Sequence, residues 1–137
     1  MSDEVRLTEW TDCGGCAAKW GATALRGLVS ELPGSVDAEL LVGLSPSDDA
    51  AVYRVADDVA LVSTADFFPP LVDDPGDFGA IAAANACSDV FAMGARVVMA
   101  LNLSAFPEAL PREAIAAILA AAAERVAAAG KIGRAHV

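Results

Sequence analysis

Alanine predominates from Arg112 to Ala129, where the chain reads REAIAAILAAAAERVAAA. Alanine is the best helix former, so this is expected to be one long helix and not low complexity. Pro111 suits its first turn and Gly130 its C-cap. A second helix is expected from Phe78 to Met93, capped by Asp77 and closed by Gly94. The β-branched residues concentrate upstream. Ala50 to Val55 and Val59 to Thr64 read as two strands, joined around Asp57 and Asp58 as a hairpin. Val97 to Leu103 is nearly continuously apolar and reads as a strand buried on both faces. Ala22 to Leu32 reads as a helix with Leu25, Leu28, Val29 and Leu32 on one face, ended by Pro33 and Gly34. Asp37 to Gly43 leads into the loop SPSDD. Strands and helices in this order predict an α+β domain, and no internal repeat is visible.

A chain of 137 residues is long enough for one domain with its own core. Acidic residues outnumber basic ones 19 to 9, a net charge of -10. That balance argues against a nucleic-acid partner, which needs a basic stripe for phosphates. It does not argue against ATP, because carboxylates that hold metal ions hold phosphates through them. Cys13, Cys16 and Cys87 are odd in number and sparse, unlike a secreted disulfide scaffold. The start, MSDEVRLTEW, lacks a signal-peptide pattern. No apolar run approaches the ~20 residues of a membrane span; the richest, Ile81 to Leu103, is interrupted by Asp89 and Arg96. A soluble, cytoplasmic protein without a membrane partner is expected. The closing KIGRAHV reads as a non-native tail, since IGRAHV is also the translation of a string like a common sequencing adapter. His136, the only histidine, goes with it; the alternative is an ordinary frayed terminus. The expected organisation is a flexible glycine-rich Cys/Lys loop over 1–20, a domain over 21–130 and a tail over 131–137.

Three features carry chemistry. The first is TDCGGCAAKW, Thr11 to Trp20. A zinc clip wants four ligands and no second cysteine pair exists. A redox pair wants a preceding strand and a following helix. Lys19, three residues after Cys16, can lower the thiol pKa and meet phosphate, and Gly14 and Gly15 give the backbone freedom; an ordinary exposed loop remains the alternative. The second is the acidic pair Asp48-Asp49, suited to a hard divalent cation or to a solvated turn. The third is a set of isolated carboxylates. Asp66 ends an apolar strand, ahead of a stiff turn of two phenylalanines and two prolines. Asp89 lies inside an apolar helix, beside Ser88 and one turn after Asn85, where an uncompensated charge is costly. Its partner is a metal ion or, alternatively, Arg96. Cys87, among alanines, reads as a small core residue. Asp77-Phe78-Gly79 matches the kinase DFG triplet, but the other kinase signatures are absent. Residues alone thus indicate aspartates fit for Mg²⁺ and nucleotide chemistry, with no substrate named.

LTEWTDCGGCAAKW, LLVGLSPSDDAAVY and STADFFPPLVDDPGDFGAIAAANACSDVFAMGA, in this order and spacing, resemble the N-terminal part of the selenophosphate synthetase (selenide, water dikinase) family. The resemblance runs from about Leu7 to Gly130 and covers less than half of a typical member. DDAA and SDxxAMG alone also occur in thiamine-monophosphate kinase and the aminoimidazole ribonucleotide synthetase group; the GCxxK loop and the TxDFFxPxVDxPxDFG run sharpen the assignment. The resemblance implies ATP, selenide and water as substrates, and selenophosphate, phosphate and AMP as products. It implies the aminoimidazole ribonucleotide synthetase-like fold, a mixed sheet with helices on one face, and a homodimer whose strands form a shared barrel. By motif, Cys16 matches the catalytic cysteine and Lys19 the lysine that contacts ATP phosphates. Asp49, Asp66 and Asp89 match the aspartates that hold Mg²⁺ and the nucleotide, and Pro46, Ser47 and Asp48 the neighbouring nucleotide loop. Two departures stand out. Ala18 replaces a common second cysteine while Cys13 appears upstream, where a Cys13–Cys16 disulfide would switch the loop off. Gly94-Ala95 replaces a usual glycine pair. The family's C-terminal half, with a further metal-binding aspartate, has no counterpart in this sequence, so the chain by itself is expected to be inactive and to expose an apolar face.

Overall fold

A computed structural model describes residues 5–14, 22–32, 37–44 and 48–130. Its elements are a 3-10 helix Leu7–Trp10, α1 Ala22–Val29, β1 Leu40–Val42, β2 Ala51–Ala56, β3 Val59–Ser63, α2 Pro75–Ala92 and α3 Arg112–Gly130. The expected α+β class holds.

The hairpin forms where β-branched residues flank the Asp57-Asp58 turn, with Ala51 opposite Ser63 and Tyr53 opposite Leu61. A third strand, missed in the loop leading to SPSDD, pairs Leu40 with Tyr53. All pairings are antiparallel, in the order β1-β2-β3. The mixed sheet implied by the resemblance is therefore antiparallel among the described strands. Short connections permit only that, because a parallel pair needs a crossover of a dozen residues or more. The helices pack on one another more than on the sheet, which leaves Val55, Val59 and Leu61 about half exposed.

The α2–α3 contact builds the helical layer. Gly79, Ala83 and Cys87 recur every fourth residue on α2 and are buried, as are Ala114 and Ile118 on α3. Small side chains at that spacing form one stripe and let the helix backbones approach closely. Burial pushes the Cys87 thiol pKa up, consistent with a core residue. At one end of α3 the core continues through Leu7, Leu110, Ala114 and Ile118, flanked by Val5, Phe78, Phe106 and Ile115.

Three expectations need correction. The cap of α2 is Asp74 and not Asp77: its side chain accepts from the Asp77 N–H at 2.7 Å. Pro75 needs no N–H at the first helical position, so the helix starts three residues earlier than its apolar pattern suggests. Val97–Leu103 forms no strand. Val97 is buried, but Val98, Met99, Leu101 and Leu103 are 67–77% exposed; apolar composition alone cannot make a strand without a neighbouring edge to bond to. Finally, the helix expected from Ala22 to Leu32 ends at Val29, so Leu32 lies beyond it; Leu25 and Leu28 are about half exposed, because no other described element packs closely on that helix.

The end of α2 follows its sequence. Gly94 adopts φ +71°. Its N–H donates to the Phe91 carbonyl at 2.9 Å, and the Ala95 N–H donates to Val90 at 3.0 Å, the paired bonds of a Schellman motif. Gly94→Ala keeps these bonds but forces a Cβ into the left-handed region. A loss of about 1 kcal/mol is expected in urea unfolding.

Candidate active site

Thr64 and Asp66 stand two residues apart just after β3, the spacing that puts side chains on one side of an extended chain. Asn85 and Asp89 are one turn apart on α2 and also share a face. The two pairs meet. The Thr64 hydroxyl donates to Asp89 Oδ2 at 2.7 Å, and Asn85 Nδ2 donates to Asp66 Oδ2. The match is metric: two extended residues advance about 6.6 Å and four helical residues about 6 Å. Farther along, Phe68 meets Phe78 edge-on, with ring centroids 6.0 Å apart. The strip from Thr64 to Phe68 therefore runs antiparallel along α2, pinned at three points. Phe67, between them, is 79% exposed.

Asp66 and Asp89 are half-buried on this strip. Asp89 is compensated by the Thr64 hydroxyl; among the described residues no salt bridge joins it to Arg96. Thr64 and Asn85 are the partners that composition alone does not single out. Their signal was present in the two periodicities, i,i+2 before α2 and i,i+4 within it.

Asp48 and Asp49 are exposed just before β2. Asp48 Oδ1 accepts the Asp49 N–H at 2.9 Å, a local turn that leads into the buried Ala50. Cys16, Lys19, Pro46 and Ser47 lie outside the described residues. Cys13 is exposed with a free thiol.

The donor set is all carboxylate on these positions, suited to a hard cation. Among the described residues no group of three or more acidic, histidine or cysteine side chains converges on one point. Asp49 is therefore not gathered with Asp66 and Asp89 into one cluster among the described residues. Mg²⁺ usually takes one or two carboxylates and completes its shell with waters and substrate phosphates.

Residues 5–14, inside the segment read as a loop, are docked against the strip that follows. Leu7 is 1% exposed and its N–H donates to the Asp73 carbonyl at 3.1 Å. Arg6 Nε donates to Asp73 Oδ2 at 3.1 Å, and the Thr8 N–H and hydroxyl donate to Oδ1. The Thr8 hydroxyl, more than the Arg6 guanidinium, holds the Asp73 carboxyl below its usual range. The described part thus has an anchored N-terminal segment, an aspartate strip along α2, and an acidic turn at the start of β2.

Comparison with known proteins adds identity to this geometry. Residues 47–132 match the AIR synthase related protein family, N-terminal domain. Selenide, water dikinase of Myxococcus xanthus is 55% identical over 120 residues, 87% of this chain and 34% of that protein. The Clostridium botulinum (strain Eklund 17B) protein of the same name is 47% identical over 96% of this chain and 38% of its own. That of Geobacter sp. (strain M21) is 48% identical over 95% and 38%. The chain thus spans little more than a third of the length of these curated relatives.

Proposed function

Because the chain belongs to the AIR synthase related protein family, as its N-terminal domain, we propose that it is the Mg-ATP-binding part of a selenide, water dikinase. The observation that carries the reading is the aspartate strip, Asp66 and Asp89 held on α2 by Asn85 and Thr64, in a chain with relatives of that name. The substrates are ATP, selenide and water, and the products selenophosphate, phosphate and AMP.

The residues take these roles. Asp66 and Asp89 on the strip, and Asp49 separately on the turn before β2, hold Mg²⁺ together with waters and substrate phosphates, and Pro46, Ser47 and Asp48 form the adjoining nucleotide loop. When bound, the cation neutralises phosphate charge that would otherwise repel the carboxylates. Lys19 contacts the phosphates. Cys16 acts at the selenium-dependent step. Selenide is anionic near neutral pH, so attack on phosphorus needs positioning and charge neutralisation more than a strong base. Thr64 and Asn85 keep the two strip carboxylates oriented, each by one hydrogen bond.

The protein works as a homodimer in the cytoplasm. Val55, Val59 and Leu61 on the sheet, and Val98, Met99, Leu101 and Leu103 beyond α2, are exposed apolar side chains. A second copy that extends the sheet covers such surface. No helix of the described residues is long and apolar enough to cross a membrane.

The test is product analysis in a protein of the relatives' full length that carries this sequence. Selenide-dependent release of AMP is expected. Release of ADP alone would replace the reading with a simple kinase of the same family, for which Cys16 and Lys19 have no use. Mg-ATP binding without turnover would reduce it to a nucleotide-binding module.

A further inference from the structure

Each carboxylate of the strip has one oxygen already engaged. Asp89 Oδ2 accepts the Thr64 hydroxyl at 2.7 Å, and Asp66 Oδ2 accepts Asn85 Nδ2. Both donors sit on held backbone. Thr64 directly follows β3, and Asn85 lies in the interior of α2, while Phe68 against Phe78 pins the far end of the strip. Turning either carboxylate so that both oxygens face one cation evenly weakens its hydrogen bond. An oxygen that already accepts a proton donor is also the poorer ligand of the two. Each aspartate therefore offers one strong metal-binding oxygen in place of two.

The two common hard cations respond differently to that restriction. Mg²⁺ takes single oxygens at about 2.0–2.1 Å in a near-ideal octahedron and keeps several waters. Ca²⁺ takes about six to eight oxygens at about 2.3–2.6 Å and readily binds both oxygens of one carboxylate. We propose that Thr64 and Asn85 are positioning residues that set the choice of cation: by holding Asp89 and Asp66 to one oxygen each, they favour Mg²⁺ over Ca²⁺ in the nucleotide complex. This rests on the Mg-ATP part of the selenide, water dikinase reading and not on its selenium chemistry. Two bonds that only support the fold make a different prediction. Their loss lowers nucleotide affinity with both cations alike, because the strip shifts on α2. A selecting role lowers affinity with Mg²⁺ and leaves it unchanged or raised with Ca²⁺, because a released aspartate can offer both oxygens.

The experiment compares Thr64→Val, Thr64→Ser and Asn85→Leu with wild type in the full-length protein. Affinity for the non-hydrolysable analogue β,γ-methylene-ATP is read by calorimetry with either Mg²⁺ or Ca²⁺ in excess, and circular dichroism checks the fold. Wild type is expected to bind the analogue at least about 10-fold more tightly with Mg²⁺ than with Ca²⁺. Thr64→Val and Asn85→Leu are each expected to bring that ratio near one, through a loss of about 10-fold with Mg²⁺. Thr64→Ser retains the hydroxyl and is expected to retain the preference. Should Asn85→Leu not fold, the two Thr64 variants decide alone, since Thr64→Val removes one hydroxyl and keeps the shape. Equal affinity with both cations in wild type overturns the selection. So do equal losses with both cations in Thr64→Val, an unchanged ratio in that variant, or a ratio in Thr64→Ser that falls as far as in Thr64→Val. A wild type that binds the analogue with neither cation overturns the nucleotide reading and the selection with it.

Discussion

Asp89→Asn, in the full-length protein, is expected to weaken Mg²⁺-dependent ATP binding and selenide-dependent turnover by on the order of 100-fold or more. The substitution separates charge from architecture. An asparagine carbonyl oxygen still accepts the Thr64 hydroxyl that Asp89 Oδ2 accepts at 2.7 Å, so the strip stays on α2. What disappears is the negative charge proposed to face the cation. Calorimetric titration of ATP at several Mg²⁺ concentrations checks the binding arm, and circular dichroism checks that the fold is kept. Unchanged Mg²⁺ dependence in a folded variant would remove Asp89 from the proposed metal site. Thr64→Val makes the complementary change: it keeps the charge and removes its orienting bond, and a smaller loss of about 10-fold is expected.

The largest effect on stability is expected from Gly79→Val. A Cβ at Gly79 would stand 2.9 Å from both the carbonyl carbon and the Cα of Ile118, and closer still to its oxygen. Those atoms are helix backbone and cannot turn aside as a side chain can. The helices must separate, and the burial of Ala83, Cys87 and Ala114 loosens with them. A cost of about 3 kcal/mol or more follows, a fall of roughly 10 °C in Tm for a domain of this size. Gly27→Ala supplies the opposite sign. Nothing lies within 4 Å of its added Cβ, Gly27 is inside α1, and a gain of up to about 1 kcal/mol is expected. Thermal unfolding of both variants, side by side, distinguishes a close helix crossing from a general intolerance of glycine replacement. Equal Tm values for Gly79→Val and wild type would contradict the crossing.

The helices and the hairpin were legible because their determinants are local. Alanine content, Pro111 and Gly94 specify helix and helix end through backbone energetics that act within a few residues. Asp57-Asp58 between β-branched runs does the same for the hairpin. Asp66 and Asp89 stood out because a charge among apolar residues calls for a partner wherever the chain folds. The resemblance supplied the chemistry that these residues alone did not name.

Other features depend on residues far apart in the chain. Asp74 and Asp77 are both plausible caps by composition; the chain direction entering α2 selects Asp74. Val97–Leu103 has strand composition, but a strand exists only where packing lays it beside an edge, and no periodicity encodes that. Leu7 gives no sign in LTEW that it is the most buried side chain of the core, since its neighbours there, Leu110, Ala114 and Ile118, are more than a hundred residues away. The sequence by itself determined the helices, the hairpin and which carboxylates need partners, since propensity and charge act locally. Only the tertiary structure decided that Thr64 and Asn85 are those partners, that Gly79 is a crossing point and that Asp73 holds the N-terminal segment, since each depends on the distance between elements that only packing sets.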